Sequence, residues 1–246
     1  MRPNATIFRP FCARRTSSRP RWFATHSART IEIEAKFPFQ EVDVARIAAH
    51  GHLKGTKIFT DIYWDEPMSY RLTTQDMWLR QRERAWELKV PLTTWRREKA
   101  AGPSSIDQYK EIAGERDIAS FLLDRGLIEQ PLMLRALEDL LRSNNFASFG
   151  KITTERLTYE CEGVTVTFDT ATPLNYRVGE VEVMVDASTD VSVAEARIRS
   201  FAQKFNLSIE SRLRGKVLEL IKRSSARHWQ MLRESGQLKS KNVNDD

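Results

Sequence analysis

Residues 30–37 read Thr-Ile-Glu-Ile-Glu-Ala-Lys-Phe, so Glu32, Glu34 and Lys36 alternate with Ile31, Ile33, Ala35 and Phe37. A period of two marks a strand whose successive side chains point to opposite faces. The polar face of this strand carries two carboxylates and an ammonium in a row. The pattern recurs downstream. Trp78, Arg80 and Arg82 share one parity, as do Glu87 and Lys89 of the next apolar-polar run. Lys110 and Glu111 fall in another short strand, and Arg156 lies in a longer one. Thr167 and Asp169 share a face, and so do Glu180 and Glu182. One wet strand can wear charges without any function. Several such strands closed into a barrel would turn the charges inward. Burying them unpaired is too costly, so the lumen calls for a charged guest. Guanidinium forks and ammonium groups in number suit phosphate oxygens. Carboxylates without accompanying His or Cys suit a hard divalent cation, Mg²⁺ or Mn²⁺. Together they suit a polyphosphate bound as its metal complex, in which the metal neutralises charge on the transferred group and the basic side chains stabilise the leaving phosphate.

The elements that must position these residues form a chain of mixed character. Residues 40–50 read as a short amphipathic helix stopped by Gly51, and KIFTDIYWD as a strand ended near Pro67. A turn is expected near Arg84–Ala85. Residues 91–106, with two prolines, a glycine and two serines, read as a loop. Ile118, Phe121, Leu122 and Leu123 pattern one helix; Leu132, Leu134, Leu137, Leu140 and Leu141 pattern another, with Gly126 and Pro131 at the break. Strands follow at 149–161, 163–169 and 178–185, then a helix over 191–205 and a last helix from about 212 to 234. About eight strands in antiparallel runs with blocks of helices give an α+β class rather than a doubly wound sheet. No glycine-rich phosphate loop is present.

With 246 residues the chain suits one large domain or two small ones. No run approaches the ~18–20 apolar residues of a membrane-spanning helix. Two cysteines, Cys12 and Cys161, exclude a disulfide scaffold and a cysteine-ligated zinc site. The histidines, His26, His50, His52 and His228, have no metal-ligand spacing and read as surface residues. The formal net charge of +6 does not signal nucleic-acid binding, because its excess sits at one end. Seven arginines and no acidic residue precede Glu32; without them 32 basic residues face 33 acidic ones. Residues 1–29, rich in Arg, Ser and Thr, have the composition of a mitochondrial transit peptide. Arg21-Trp22-Phe23-Ala24 fits a matrix-protease site, which places the mature start near Ala24 and the protein in the matrix, with the cytoplasm as second choice. The expected organisation is a transit-like segment over 1–29, one domain over 30–234 and a flexible tail over 235–246.

The sequence resembles the triphosphate tunnel metalloenzyme (CYTH) superfamily, which includes class IV adenylyl cyclases and thiamine triphosphatases. Glu32-Ile33-Glu34-Ala35-Lys36 matches its Glu-x-Glu-x-Lys hallmark. FTDIYWDEP, MWLRQRERAWELKVP, QYKEIA, RLTY, FDT, YRVGEVEVMV and RGKVLELI recur in the family's order over residues 30–222. Trp78 before Arg80, followed by Trp86-Glu87-Leu88-Lys89, is most similar to the thiamine-triphosphatase branch. The resemblance implies a closed eight-stranded antiparallel barrel flanked by helices. It also implies metal-dependent hydrolysis of thiamine triphosphate to thiamine diphosphate and orthophosphate. Glu32, Glu34, Asp169, Glu180 and Glu182 match metal-binding carboxylates. Lys36, Arg80, Arg82, Lys89, Arg156 and Lys216 match triphosphate-binding cations, with Lys110 and Glu111 as further tunnel residues. Glu32, Glu34 and Lys36 carry the catalytic role, and Trp78 matches the aromatic that stacks on thiamine.

Thr167 stands where some thiamine triphosphatases have a second Asp, so metal coordination is expected to use more water. An inorganic tripolyphosphatase and a non-catalytic polyphosphate-binding module are the alternatives on the same scaffold. The opposing carboxylates argue against the module, since a pure anion binder has no need of them. The expected partner is a small-molecule triphosphate, with no nucleic acid and no integral membrane segment, and a monomer is expected.

Overall fold

The computed structural model describes residues 30–93, 106–129, 136–209 and 213–238. The basic segment 1–29, residues 94–105 of the expected loop, Pro131, Leu132 and Leu134 of the second helical pattern, and the tail beyond 238 lie outside the described residues. In chain order the strands are β1 (Thr30–Phe37), β2 (His52–Asp65), β3 (Trp78–Arg82), β4 (Ala85–Pro91), β5 (Ile106–Ala113), β6 (Ala147–Cys161), β7 (Val164–Thr172) and β8 (Tyr176–Asp186). They close into one barrel in the order β1-β5-β4-β3-β2-β6-β7-β8. Every neighbouring pair is antiparallel. Among the described residues the helices are α1 (Glu41–Ala48), α2 (Glu115–Asp124), α3 (Leu137–Ser143), α4 (Val191–Lys204), α5 (Lys216–Ser224) and α6 (Ala226–Glu234).

The apolar side of the barrel faces outward, beneath helices. Ile31, Ile33, Ala35 and Phe37 of β1 join Val166, Phe168, Val181 and Val183 of β7 and β8. Ile47 of α1 and Ala194, Ile198, Phe201 and Ala202 of α4 cover them. A second cluster joins Leu88, Val90 and Ile112 of β4 and β5 to Ile118 and Leu122 of α2 and Leu137, Leu140 and Leu141 of α3. Burying each such side chain stabilises the fold by roughly 1.5–3 kcal/mol. The alternation that puts this face under helices leaves the other face of each strand to the lumen.

Two departures from the sequence expectation concern a turn and a helix break. The β3–β4 hairpin turns at Glu83–Arg84, one residue earlier than expected, and both residues have positive φ (46° and 78°). The β6–β7 hairpin turns at Glu162–Gly163, again with two positive φ values (51° and 71°). A two-residue hairpin that follows the twist of its strands needs that conformation. The single helix expected over 212–234 is two helices. Ser225 between them is extended (φ −148°, ψ 96°), and its hydroxyl accepts from the His228 N–H. A serine acting as N-cap gives the second helix its own start without any Gly or Pro. His228, expected at the surface, is buried at 1% exposure. Its ring stacks on Tyr70 at 3.6 Å, and Nε2 lies 2.8 Å from Thr73 Oγ1. His50 and His52 are exposed.

Candidate active site

The strand faces left over by the apolar pattern meet inside the barrel around a cavity of about 560 Å³. Glu32, Glu34 and Lys36 of β1, Trp78, Arg80 and Arg82 of β3, Lys89 of β4, Glu111 of β5, Arg156 of β6, and Glu180 and Glu182 of β8 all line it. Lys216, the first residue of α5, reaches in from the helix that crosses one rim. A Cβ on Gly215, the residue before it, would come within 3.3 Å of Lys36 Cε, so the helix start is seated close on the β1 ammonium.

The register explains how the charges meet. Glu34 lies opposite Glu182, and Lys36 opposite Glu180, across β1 and β8. Lys36 pairs with Glu34 and, at 2.9 Å, with Asp107. Lys89 Nζ is 2.5 Å from Glu32 and 3.2 Å from Glu34. Arg80 donates to Glu87 at 2.7 Å and to Glu111 at 3.2 Å. Arg82 forks onto Asp61 at 2.7 and 3.0 Å. Arg156 forks onto Asp169 with two bonds of 2.6 Å and reaches Glu180 at 3.3 Å. Lys216 also pairs with Asp169. Beneath three of these cations lies the Phe59 ring, 4.1 Å from the Arg82 guanidinium carbon, 5.5 Å from that of Arg156 and 5.9 Å from Lys216 Nζ.

These contacts set the proton affinities. Burial raises the Glu34 carboxyl, but Lys36 and Lys89 outweigh it and hold the group well below the usual range. For Glu32 burial wins: against the pull of Lys89, and helped by Glu34 and Glu182, its pKa is pushed up to about 8. Burial raises Glu182 as well, with Glu34 and Glu180 adding to it and Lys89 opposing. Burial works against the Lys36 ammonium, yet Asp107, Glu34 and Glu180 keep it well above its ordinary value. For Lys216 burial prevails over Asp169 and Glu180, and the pKa falls.

Two of the residues expected in the site stand apart. Lys110 is buried but does not line the cavity; the parity of β5 sends Asp107, Tyr109 and Glu111 inward and turns Lys110 to the other face. Asp169 is fully buried and does not line the cavity itself, its oxygens being engaged by Arg156 and Lys216. It anchors two cations that line the cavity. Thr167 sits opposite Glu180, its hydroxyl buried without a hydrogen-bond partner.

Three carboxylates not assigned a site role from sequence, Asp61, Glu87 and Asp107, hold Arg82, Arg80 and Lys36 respectively. Asp61 shares parity with Phe59 and Tyr63 on β2, which is the available signal. Which arginine it meets depends on the β2–β3 register, where Asp61 lies opposite Arg82.

The donor set fits a hard divalent cation. Glu32 and Glu182 are pushed toward the neutral acid by burial and by one another's neighbours, a strain that a bound cation relieves. Among the described residues no three carboxylates converge as a ready cage. Cations and carboxylates line the cavity in equal number. An anionic guest therefore enters most favourably with a countercharge of its own.

A closed antiparallel barrel with cations and carboxylates lining its lumen is suited to a polyanion that brings its own countercharge. The chain belongs to the CYTH family: the CYTH domain model matches residues 30–215. No curated protein matches the chain. Among solved structures, a Pyrococcus horikoshii protein shares 20% identity over 78% of this chain and 98% of its own, with a TM-score of 0.53. An adenylate cyclase candidate from Vibrio parahaemolyticus shares 17% identity over 77% of this chain and 97% of its own, with a TM-score of 0.49. A Hippeastrum adenylyl cyclase candidate described as revealing a dominant triphosphatase activity shares 16% identity over 79% of this chain and 95% of its own, also with a TM-score of 0.49.

Proposed function

We propose that the protein hydrolyses thiamine triphosphate to thiamine diphosphate and orthophosphate, with Mg²⁺ as the metal. The observation that carries this reading is a row of cations ending beside an aromatic residue. On β3, Trp78, Arg80 and Arg82 all face the cavity. On a strand, Trp78 lies roughly 6–7 Å along from Arg80. A triphosphate spread over Arg82, Arg80, Lys89, Lys36, Arg156 and Lys216 brings its organic end within reach of the indole. Thiamine offers a flat pyrimidine and a cationic thiazolium, both suited to stacking and to cation–π attraction.

The geometry supports the following roles. The guanidinium forks orient the phosphoryl groups and stabilise charge on the departing diphosphate. Glu32, Glu34, Glu180 and Glu182 would hold the metal, which supplies charge neutralisation and a more acidic bound water. The Phe59 floor keeps water from one side of Arg82 and Arg156, which strengthens their pull on phosphate.

One observation favours a second reading, an inorganic tripolyphosphatase. Trp78 is half-buried and packs against the cluster of Ile221, Leu232 and Leu238, a place where an aromatic serves packing alone. Phosphate release from thiamine triphosphate, tripolyphosphate and ATP, measured side by side with Mg²⁺ and with excess chelator, separates the two. Preference for thiamine triphosphate and silence in chelator are expected. A preference for tripolyphosphate by orders of magnitude would select the second reading.

A further inference from the structure

The loop between β2 and β3 carries a residue that neither the motif nor the charge pattern marks. A short 3₁₀ turn, Thr73–Gln75, ends at Asp76, whose backbone is left-handed (φ 60°, ψ 28°) and whose N–H bonds the Thr73 carbonyl. Aspartate tolerates that conformation better than most residues. The start of the turn is held by Asp65, which accepts the backbone N–H groups of Leu72 at 3.0 Å and Thr73 at 2.9 Å and the Thr73 hydroxyl at 2.8 Å. The turn is thus fixed before its last residue, and the direction of the Asp76 side chain is fixed with it.

That side chain points into the cavity. Asp76 Oδ1 accepts from Trp78 Nε1 at 2.9 Å and from Tyr109 Oη at 2.9 Å. Trp78 opens β3 and Tyr109 lies on β5, two strands that are not neighbours, since β4 runs between them. Both aromatics line the cavity. One carboxylate oxygen therefore ties together the two rings beside the organic end of the substrate. A free indole at a strand start would sample several rotamers; an indole whose N–H is bound presents one face.

We propose that Asp76 is the positioning residue for recognition of the organic group, orienting Trp78 and Tyr109 as a fixed aromatic pair. This rests on the reading that the organic part of a triphosphate ester sits beside Trp78. The ligand class is a triphosphate ester of a flat, aromatic, preferably cationic alcohol. A bare tripolyphosphate does not use the pair.

Two substitutions test it. Asp76→Ala removes the acceptor. Asp76→Asn removes the charge but keeps an amide oxygen that can accept both bonds. KM and kcat are measured with Mg²⁺ for thiamine triphosphate, ATP and tripolyphosphate. In Asp76→Ala, KM for the ester is expected to rise about fivefold to tenfold more than KM for tripolyphosphate, with kcat changing less than KM. Asp76→Asn is expected to recover most of that difference. Equal changes for ester and tripolyphosphate in Asp76→Ala, or no recovery in Asp76→Asn, would overturn the assignment. So would a wild-type protein that turns over tripolyphosphate alone. A wild-type preference for ATP over thiamine triphosphate would defeat the thiamine reading only. The effect of Asp76 would then be read on ATP, with the same ratios deciding.

Discussion

At the scale of single residues, the lumen shows why charge alone does not define a role. Arg82 caps a carboxylate, Asp61, that is 0% exposed. Removing the arginine outright would strand a buried charge and cost roughly 3–5 kcal/mol. Arg82→Lys keeps a cation beside Asp61 but removes the planar guanidinium proposed to bind phosphate. We expect a small drop in melting temperature and at least a tenfold loss in kcat/KM; full activity, or a defect in melting temperature alone, would show that Arg82 serves the fold. Glu34 lies between Lys36 and Lys89. Glu34→Gln keeps the size, removes a charge proposed to face the metal and unbalances both lysines. The expected result is a rate loss above tenfold, each ~1.4 kcal/mol of lost transition-state stabilisation being a factor of ten, together with a higher Mg²⁺ requirement. A magnesium titration unchanged from wild type would remove Glu34 from the metal site. Parity makes the charged residues of β1, β3 and β8 legible in the sequence. It fails at Lys110-Glu111, because two adjacent charges satisfy either parity and only the β5 register decides between them. Asp61, Glu87 and Asp107 escape assignment for a related reason: a carboxylate's partner lies on another strand.

At the scale of elements, strand faces are readable from sequence and strand neighbours are not. Period-two alternation marks most strands and their buried sides. The order that places β5 beside β1 and β6 beside β2 arises from long-range closure, which local sequence does not encode. The break at Ser225 is hidden because serine is unremarkable inside a helix until its hydroxyl becomes a cap. Closure also imposes a contact on which the sequence is silent. Gly179 on β8 faces Phe37 at the end of β1, and a Cβ there would come within 2.3–2.7 Å of the Phe37 ring. That ring is fully buried and edge-on to Phe168 at 5.9 Å, so it has nowhere to retreat. Gly179→Ala should destabilise the barrel by about 1–3 kcal/mol, read as a lower urea midpoint. The paired change Gly179→Ala with Phe37→Leu, which makes room, should recover part of the loss. An unchanged midpoint in the single variant would mean that the β1–β8 seam is looser than this packing requires.

At the scale of the whole molecule, the N-terminal segment and the C-terminal helices serve different purposes. Residues 1–29 are proposed to direct mitochondrial import, so a fluorescent fusion of residues 1–30 should accumulate in mitochondria; diffuse cytosolic signal would contradict this. At the other end, α6 is tied to the β2–β3 loop through a buried chain. Asp65 takes the Thr73 hydroxyl hydrogen, which leaves Thr73 Oγ1 to accept from His228 Nε2. His228 is sandwiched flat against Tyr70 and edge-on to Phe149 at 4.8 Å. Burial lowers its pKa from 6.5 to about 4. The sign follows. Below pH 6.5 the unfolded chain takes up a proton at this imidazole while the folded protein does not, so stability falls as pH drops from 6.5 toward 4. The loss is on the order of 1–3 kcal/mol for this group. His228→Phe keeps a flat ring on Tyr70 and removes the titration. Carboxylates contribute their own acid dependence to both proteins, so the decisive quantity is the difference between them. Urea unfolding at pH 7.5 and pH 5 should show wild type losing more stability than His228→Phe over that interval. Parallel losses would mean that His228 takes up its proton within the folded protein, with α6 yielding locally to admit it.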